Sequence, residues 1–592
     1  MDVERVEAKS AGAAAAGAAW RSVLPPLLLL AVVVWVARYW HSSQFGFYED
    51  DYTLVTRGMA ASWAEVLRFS RDLLFGFGGQ GRPLQQAILY PLSHLAGSMG
   101  GLPEAYWMGY AIVAGNSMLA YTVLRRLGDE RFALAGALGY ALFPADTTPL
   151  FIYHAFGLQQ ALTWFWLAAH AYLSDRRLLA YVLILGSLLS YETVFPVFLV
   201  VPLLKRDWDR RLIRRVAGHT LILAGLFAAV LALRAYVGET RVAGLGFPEI
   251  LTTPLLHMIE GPAVSMGTFL YRPIQAVLAA DLEIALVLVC ATVSFALILY
   301  RLRPRVSVSP GSLWAGLRQR PLFRAWPAEL GEAAKLGLSG LLMLVLAYPL
   351  TFTIRAYAIS GRDTRVHFAA IVGASILWGV FAWLLLGLGE ALRRRWLAVG
   401  LLAAVLGGLA GFGFVIQRDY ALSWELQRSF WTRIVALCPD LDDGTVILVD
   451  PNGFTDTRQI AANHWNLPRV LEQIYEFPSD WSNPPRVYRL EPGWEQHVLM
   501  GDGRLRLDAS TVLAPPSLYG EVESERVIHL TFIDGALGRD PGPLLIDGRE
   551  VPLKPPAGAS PSGLRPGSLF PYLVERPRSL AGLLSLQSGR PE

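Results

Sequence analysis

The sequence predicts an α-helical polytopic membrane protein of about eleven spans, followed by a small mixed α/β domain. Three observations predict it. Apolar residues make up 53% of the 592 positions, and the mean hydropathy is positive. Apolar runs long enough to cross a hydrocarbon core of about 30 Å recur as far as Phe414, with arginines clustered between them. From about Gln417 the chain turns polar and proline-rich, with short apolar runs bounded by turn residues, the pattern of strands. The net charge of +4 is carried by those arginine clusters, so it speaks of membrane orientation and not of nucleic acid. The two cysteines, Cys290 in an apolar run and Cys438 in the polar tail, exclude a disulfide framework or thiolate metal site.

Residues 1–21 read as a cytoplasmic tail. The alanine-rich stretch Ala11–Ala19 leads into a first span, Ser22–Trp40, which lacks a small-residue cleavage site and is expected to be retained. Lys9 and Arg21 precede it and Glu49–Asp51 follow it, so the positive-inside rule places the N-terminus in the cytoplasm and the acidic triplet outside. That triplet, within Tyr48-Glu49-Asp50-Asp51-Tyr52, is the strongest chemical signal in the chain. Adjacent carboxylates stay ionised only in water, beside a cation, or where a reaction uses them. Asp50 or Asp51 could cap a short helix from Tyr52 to Ala60, but a cap needs one carboxylate. Hard carboxylate oxygens also suit Mg2+ or Mn2+, for which Glu49 and Asp50 are the candidate ligands.

The loop 41–102 is too long for slack connection. Ser62-Trp63-Ala64-Glu65 has capping-box spacing, and Trp63, Val66, Leu67 and Leu74 recur as in an interfacial amphipathic helix. The glycine-rich stretch Phe75–Pro83 lets backbone approach an anion but lacks a P-loop ending. Arg82, which closes it, either clamps a phosphate or snorkels to headgroups.

The next spans are Glu104–Leu124, running inward to Arg125 and Arg126, and Phe132–Leu142, running outward to Pro144 and Asp146. Leu150–Tyr172 returns to Asp175-Arg176-Arg177, with Tyr153, His154, Gln159 and Gln160 near its outer end, placed to line a cavity or to bond neighbouring helices. Leu178–Leu204, as one span, would put Lys205, Arg206, Arg210, Arg211, Arg214 and Arg215 outside. Broken at Ser190–Pro196 it becomes a re-entrant hairpin with Glu192 near its outer tip, costly unless paired, cavity-facing or functional. Leu221–Tyr236 rises to an external segment, Val237–Gln275, with His257, Glu260, Tyr271 and Arg272. Ile284–Tyr300 returns to a basic loop holding Arg301, Arg303, Arg305, Arg318, Arg320 and Arg324. Leu336–Ile354 and Val366–Leu388 flank an external connection that carries Arg355, Arg362, Asp363 and Arg365, cations the charge rule disfavours there unless an anion meets them. Trp396–Phe414 is the last crossing.

In the tail, residues 417–592, strands are expected at Thr445–Asp450 and Val527–Ile533, and a helix at Arg458–Tyr475, broken at Pro468. Hairpins are expected over Val498–Leu507, around Gly501-Asp502-Gly503, and over Leu544–Val551, around Asp547-Gly548. The chain after Pro555 reads as loose. No nucleophile stands beside a base, and Asp442, Asp443 and His464 lack a spacing that demands a metal.

An acidic triplet just past span one, a long amphipathic first loop, a broken hairpin with Ser-x-Glu-Thr before a proline, and a polar tail, in that order, resemble the GT-C superfamily over roughly Ser22–Phe414. The likeness is to its bacterial, protein-mannosyltransferase-like members. It implies a GT-C-like domain, 22–416, whose first external loop, 41–102, is catalytic. It implies inverting transfer of a sugar from a polyprenyl-phosphate donor to a glycan, lipid or protein acceptor, on the outer face of the inner (plasma) membrane. The family's first-loop acids fall on Glu49, Asp50 and Asp51, and its hairpin glutamate on Glu192. Some relatives carry Glu and Arg after the proline ending the third span; here Pro144 is followed by Asp146, Thr147, Thr148 and later His154, so Asp146 stands in for the acid. Arg82, Arg272, Arg355, Arg362, Arg365 and His154 become candidate ligands of the donor phosphate. The triplet, Asp146, Glu192 and the arginines of 355–365 are expected to converge on one outward cavity, and the tail, 417–592, to be an extracytoplasmic accessory domain. No Trp-Trp-Asp motif occurs, so transfer of whole glycans to asparagine is not implied. A transporter or lipid flippase would be expected to show two similar halves, which the sequence lacks; a non-catalytic envelope scaffold is the third reading.

Overall fold

The computed structural model describes residues 23–75, 81–205, 207–238, 247–302, 328–352, 354–450, 457–460, 467–498, 503–533, 536–540, 542–546, 548–556 and 564–574. The cytoplasmic tail, most of the glycine-rich loop, His464 and the centre of the Gly501-Asp502-Gly503 turn lie outside them. By its internal contacts the chain forms two units, Met1–Ser43 with Ala61–Gln417, and Gln44–Ala60 with Arg418–Glu592. The division after Gln417 coincides with the composition change. The acidic triplet, expected within the membrane domain's first loop, belongs instead to the second unit.

Five helices are long and apolar enough to cross a bilayer: Val23–Gln44, Arg210–Tyr236, Leu282–Arg301, Ala370–Ala391 and Arg395–Leu437. Leu221, Ile259, Leu278 and Leu297 are all exposed, a distribution that water would penalise and lipid would not. The chain is therefore a membrane protein. The eleven spans read from the sequence reduce to these five by length and composition among the described residues. Glu130–Ala141, where Phe132–Leu142 was expected to cross, has 12 residues, or roughly 18 Å of α-helix.

In the first unit, helix Ala370–Ala391 packs on Glu130–Ala141 and on Ala328–Val345, and Leu102–Leu127 packs on Glu130–Ala141 and on Gln159–Leu173. Lipid tails supply no hydrophobic drive between helices, so close backbone approach through small residues must hold them. A Cβ on Gly373 would lie 2.3 Å from Leu344 N, and one on Gly379 2.8 Å from the Phe132 carbonyl oxygen. Gly373→Ala is accordingly expected to destabilise the unit by about 1–3 kcal/mol through overpacking. Thermal unfolding in detergent checks this, and an unchanged midpoint would rule out that helix contact.

The hairpin breaks where the sequence reading put it. Helix Arg177–Ser190 stops at Tyr191, whose backbone is extended, and a 3-10 helix, Glu192–Leu204, carries Pro196 and Pro202. The amphipathic helix is also as expected, Trp63–Phe75, capped by reciprocal bonds between Ser62 and Glu65. Three segments differ. Val237–Gln275, read as an external connection, holds a helix, Phe247–Leu278, with three internal prolines; neighbouring helices can satisfy the carbonyls those prolines leave unbonded. The last apolar run does not end at Phe414 but continues as one helix to Leu437. The helix expected over Leu336–Ile354 is displaced toward the N-terminus, running from Ala328 to Val345.

The second unit is built on a five-stranded sheet. Its strands are β1 (Val446–Val449), β3 (Arg486–Leu490), β5 (Val512–Leu513), β7 (Val527–Ile533) and β8 (Ala536–Arg539), in the order β5-β3-β1-β7-β8. β1 is central and parallel to both neighbours, with Ile447 facing Val487 and Ile528 across the ladders. All four of its residues are buried, as a strand covered on both faces requires. The hairpin of β9 (Leu544–Ile546) and β10 (Arg549–Val551) forms as expected. The other does not: β4 (Arg504–Leu507) pairs with β6 (Gly520–Glu523), because its alternating Leu505 and Leu507 bury against that partner. Arg458–Tyr475 is not one helix; its described part holds a 3-10 turn at Leu467–Arg469, a short helix at Leu471–Ile474 and β2 (Tyr475–Glu476), which pairs with β11 (Arg565–Pro566).

Candidate functional site

The candidate residues of the first unit gather around Glu192. Its position, first in the 3-10 helix after an extended Tyr191, presents the carboxylate to two arginines. Arg82 donates Nε to Oε2 at 2.8 Å and an Nη to Oε1 at 2.6 Å, a bidentate pair, while Arg234 donates to Oε2 at 3.1 Å. Arg82 also lies 4.4 Å over the Tyr191 ring, and Arg234 donates to the Gly81 carbonyl. All three charged side chains are at least four-fifths buried. Pairing resolves the cost that the sequence attached to Glu192: the acid is charge-matched and not solitary. Arg234, near the end of the apolar helix Arg210–Val237, was missed, although an arginine within an apolar run is itself a signal.

From this pair a connected path leads to His154. Helix Pro83–Met99 starts at Arg82 and carries Gln85, which donates to the Tyr153 hydroxyl at 3.1 Å. His154 opens a π-helical turn, His154–Leu158, packs its ring 4.5 Å from Phe151, and is 1% exposed, yet neither ring nitrogen makes a hydrogen bond among the described residues. The guanidinium groups of Arg365 and Arg362 act on it electrostatically. Both arginines sit in a 3-10 turn, Arg362–His367, whose Thr364 hydroxyl meets Thr147 at 3.0 Å, beside Asp146.

Asp146 lies in the connection after helix Glu130–Ala141, where its Oδ1 accepts from Thr148 N and Oγ1 at 2.9 and 2.7 Å. Burial pushes its carboxyl above the usual aspartate value, while the Thr148 bonds and the charges of Arg38 and Arg365 act the other way. Arg38, in the π-helical turn Trp35–Tyr39 of the first apolar helix, donates to the carbonyls of Ala141 and Phe143 and so fixes that connection. It too was missed. Asp146, Glu192, Arg82, His154, Arg362 and Arg365 thus lie in one unit, Arg82 and Glu192 joined by hydrogen bonds, and His154 and Asp146 both within the electrostatic reach of Arg365.

Two other candidates have different surroundings. Arg272 is fully buried, donating to Gln275 and to the Ile359 carbonyl and lying 4.4 Å over Phe412; it ties down the segment before Arg362. Arg355 is exposed, within electrostatic range of His257. No family profile matches the chain, and no curated protein matches its sequence.

The triplet, in the second unit, forms a 3-10 turn, Glu49–Tyr52, in which all three acids are buried and Glu49 has a left-handed backbone, φ 44°. Asp51 accepts from Tyr48 N at 3.1 Å, so one carboxylate does cap, though it caps the turn that contains it and not a helix from Tyr52. Tyr48 donates to the Tyr420 carbonyl at 2.7 Å and Tyr52 to Gln427 Oε1 at 2.6 Å. Burial, and behind it the nearby Asp51, raise both phenols well above their usual value, so they stay protonated donors. Among the described residues no three His, Cys, Asp or Glu form a metal-holding group, so Glu49 and Asp50 would hold Mg2+ or Mn2+ with at most their own oxygens. In the same unit Asp442 pairs with Lys554 at 2.6 Å and Asp443 accepts from Ser482 N and Asn483 N. Asp51→Ala is expected to cost about 0.5–2 kcal/mol of stability as a lost cap, and Asp51→Asn, which keeps an accepting amide oxygen, much less, a difference thermal unfolding of the two variants reads directly.

Proposed function

We propose that the chain is a membrane glycosyltransferase of the GT-C kind, moving a sugar from a polyprenyl-phosphate donor to an envelope acceptor. What carries the reading is His154, buried without a hydrogen bond among Arg362, Arg365 and Asp146, and linked to the Arg82–Glu192–Arg234 pair. A buried imidazole with both nitrogens unsatisfied is costly in a resting fold and useful where a ligand completes it. Two arginines on Glu192 and two more within electrostatic reach of His154, in one apolar unit, match the demand of a lipid phosphate, which must be held as it departs from the anomeric carbon.

In the proposed reaction the acceptor hydroxyl oxygen attacks the anomeric carbon, its bond to the phosphate oxygen breaks, and polyprenyl phosphate leaves with the electron pair. Arg362, Arg365 and His154 hold that leaving phosphate, and Arg82 is kept in place by Glu192. A carboxylate takes the hydroxyl proton. Asp146, whose proton affinity is raised by burial, is the candidate base in the first unit; Asp50, in the buried triplet, is a separate candidate in the second. No step requires a metal. On this reading the chain lies in the inner membrane with its N-terminus cytoplasmic and the second unit outside.

The test is turnover of polyprenyl-phosphate sugars by the full chain in nanodiscs, with extracted envelope glycans compared between cells with and without the gene. Transfer that disappears in Asp146→Asn or in Asp50→Asn, each folded, identifies the base. Lipid-sugar crossing the bilayer without turnover would replace the transferase reading with a flippase, and neither activity would leave a scaffold.

A further inference from the structure

The second unit carries two adjoining cavities, of about 460 and 410 Å³, that share Pro484 in their walls. The smaller is an aromatic cleft. Phe477 and Trp481 stack with ring centroids 5.4 Å apart and planes 19° apart, and Tyr475 lies 6.3 Å from Phe477. Phe477 and Trp481 are both only partly covered. Flat rings held parallel and left partly open offer a face to the C–H side of a sugar ring.

The larger cavity is polar, at the start of β1 and β3. It is lined by three arginines, Arg486, Arg504 and Arg526, and two glutamates. The glutamates are engaged: Glu521 with Arg504 at 3.3 Å and Glu523 with Arg526 at 3.2 Å. Arg486 makes no ion pair among the described residues; it reaches the Tyr488 hydroxyl, and its Nε is buried without a hydrogen-bond partner. Tyr488 is itself fixed by donating to the Leu518 carbonyl at 3.0 Å. Within this cavity one guanidinium, Arg486, is in excess and, backed by an immobilised tyrosine, is a receptor for a single carboxylate or phosphate group, whereas Glu472 and Glu476 in the walls of the aromatic cleft favour an uncharged ring there.

We propose that the two cavities together form a binding track for an acidic oligosaccharide, a sugar ring on Phe477 and Trp481 and an acidic substituent of a neighbouring ring on Arg486. Both volumes fall in the range of small-ligand sites, roughly 300–1,000 Å³. The shared Pro484 wall makes the two continuous, which favours an extended ligand over two unrelated small ones. That this saccharide is the transferase's acceptor rests on the reading above; the binding itself does not.

Titration of the full chain in nanodiscs with glucuronate- and sugar-phosphate-containing oligosaccharides, each beside its neutral counterpart, tests the track and tells the two acids apart. Acidic ligands are expected to bind at least about tenfold tighter than neutral ones, the range of a charge-assisted hydrogen bond. Arg486→Gln should remove that preference, Arg486→Lys should restore part of it, and Trp481→Ala should weaken acidic and neutral ligands alike. Equal binding of acidic and neutral sugars, binding of neither, or wild-type preference in a folded Arg486→Gln protein would overturn the proposal. So would poly-glutamate binding as tightly as the saccharides. Because the readout is binding, a failed transfer assay leaves the result standing, and a failed titration leaves the transferase reading standing.

Discussion

Glu192→Ala is expected to be the most destabilising single substitution in the first unit, by about 3–5 kcal/mol, the usual cost of stripping one partner from a buried ion pair. Arg82 and Arg234 both direct their guanidinium groups at this carboxylate, and side chains only 16% and 15% exposed cannot turn to water for compensation. Desolvating a charge is costly whether or not it is paired, so the loss reflects the two stranded cations more than the strength of the pair. It follows that the triple variant Glu192→Leu, Arg82→Met, Arg234→Met should recover most of the stability while remaining inactive. Thermal unfolding in detergent measures both, and a single variant with the native midpoint would dismiss the pairing as the support of the hairpin tip.

His154→Phe should have the opposite signature. No hydrogen bond is lost, the ring contact with Phe151 is kept, and two unsatisfied buried nitrogens disappear, so stability should be unchanged or higher by about 1 kcal/mol. Transfer should fall by about 10²–10³, the cost of removing a donor aimed at developing charge. Measured together, native-like unfolding with lost transfer assigns His154 to the reaction. Retained transfer would make it a packing residue, and lost stability would mean that its ring is held by more than the aromatic contact.

What the sequence disclosed was local. The break at Tyr191 followed from charge placement, and the cap at Ser62–Glu65 from spacing. Pro254, Pro262 and Pro273 all lie inside a helix, where Val237–Gln275 had been read as an external connection. The helix past Phe414 was legible and overlooked, since Tyr420, Trp424, Gln427, Trp431 and Ile434 are buried at intervals of three and four. The site was legible only as a set of unusual residues. Glu192 and Arg82 each stood out, but their pairing spans 110 positions and is shared with Arg234, which no local pattern joins to either. The triplet's surroundings were equally remote, Tyr420 and Gln427 lying some 370 residues on.

The 3-10 limb Glu192–Leu204 has a mechanical consequence. Thirteen residues at about 2.0 Å per residue reach roughly 26 Å, against roughly 20 Å as an α-helix. A segment too short to cross a bilayer in one helical form nearly crosses it in the other. Rewinding it would also draw its ends together by about 6 Å, and because Glu192 is its first residue, that stroke would be delivered to the carboxylate that grips both arginines.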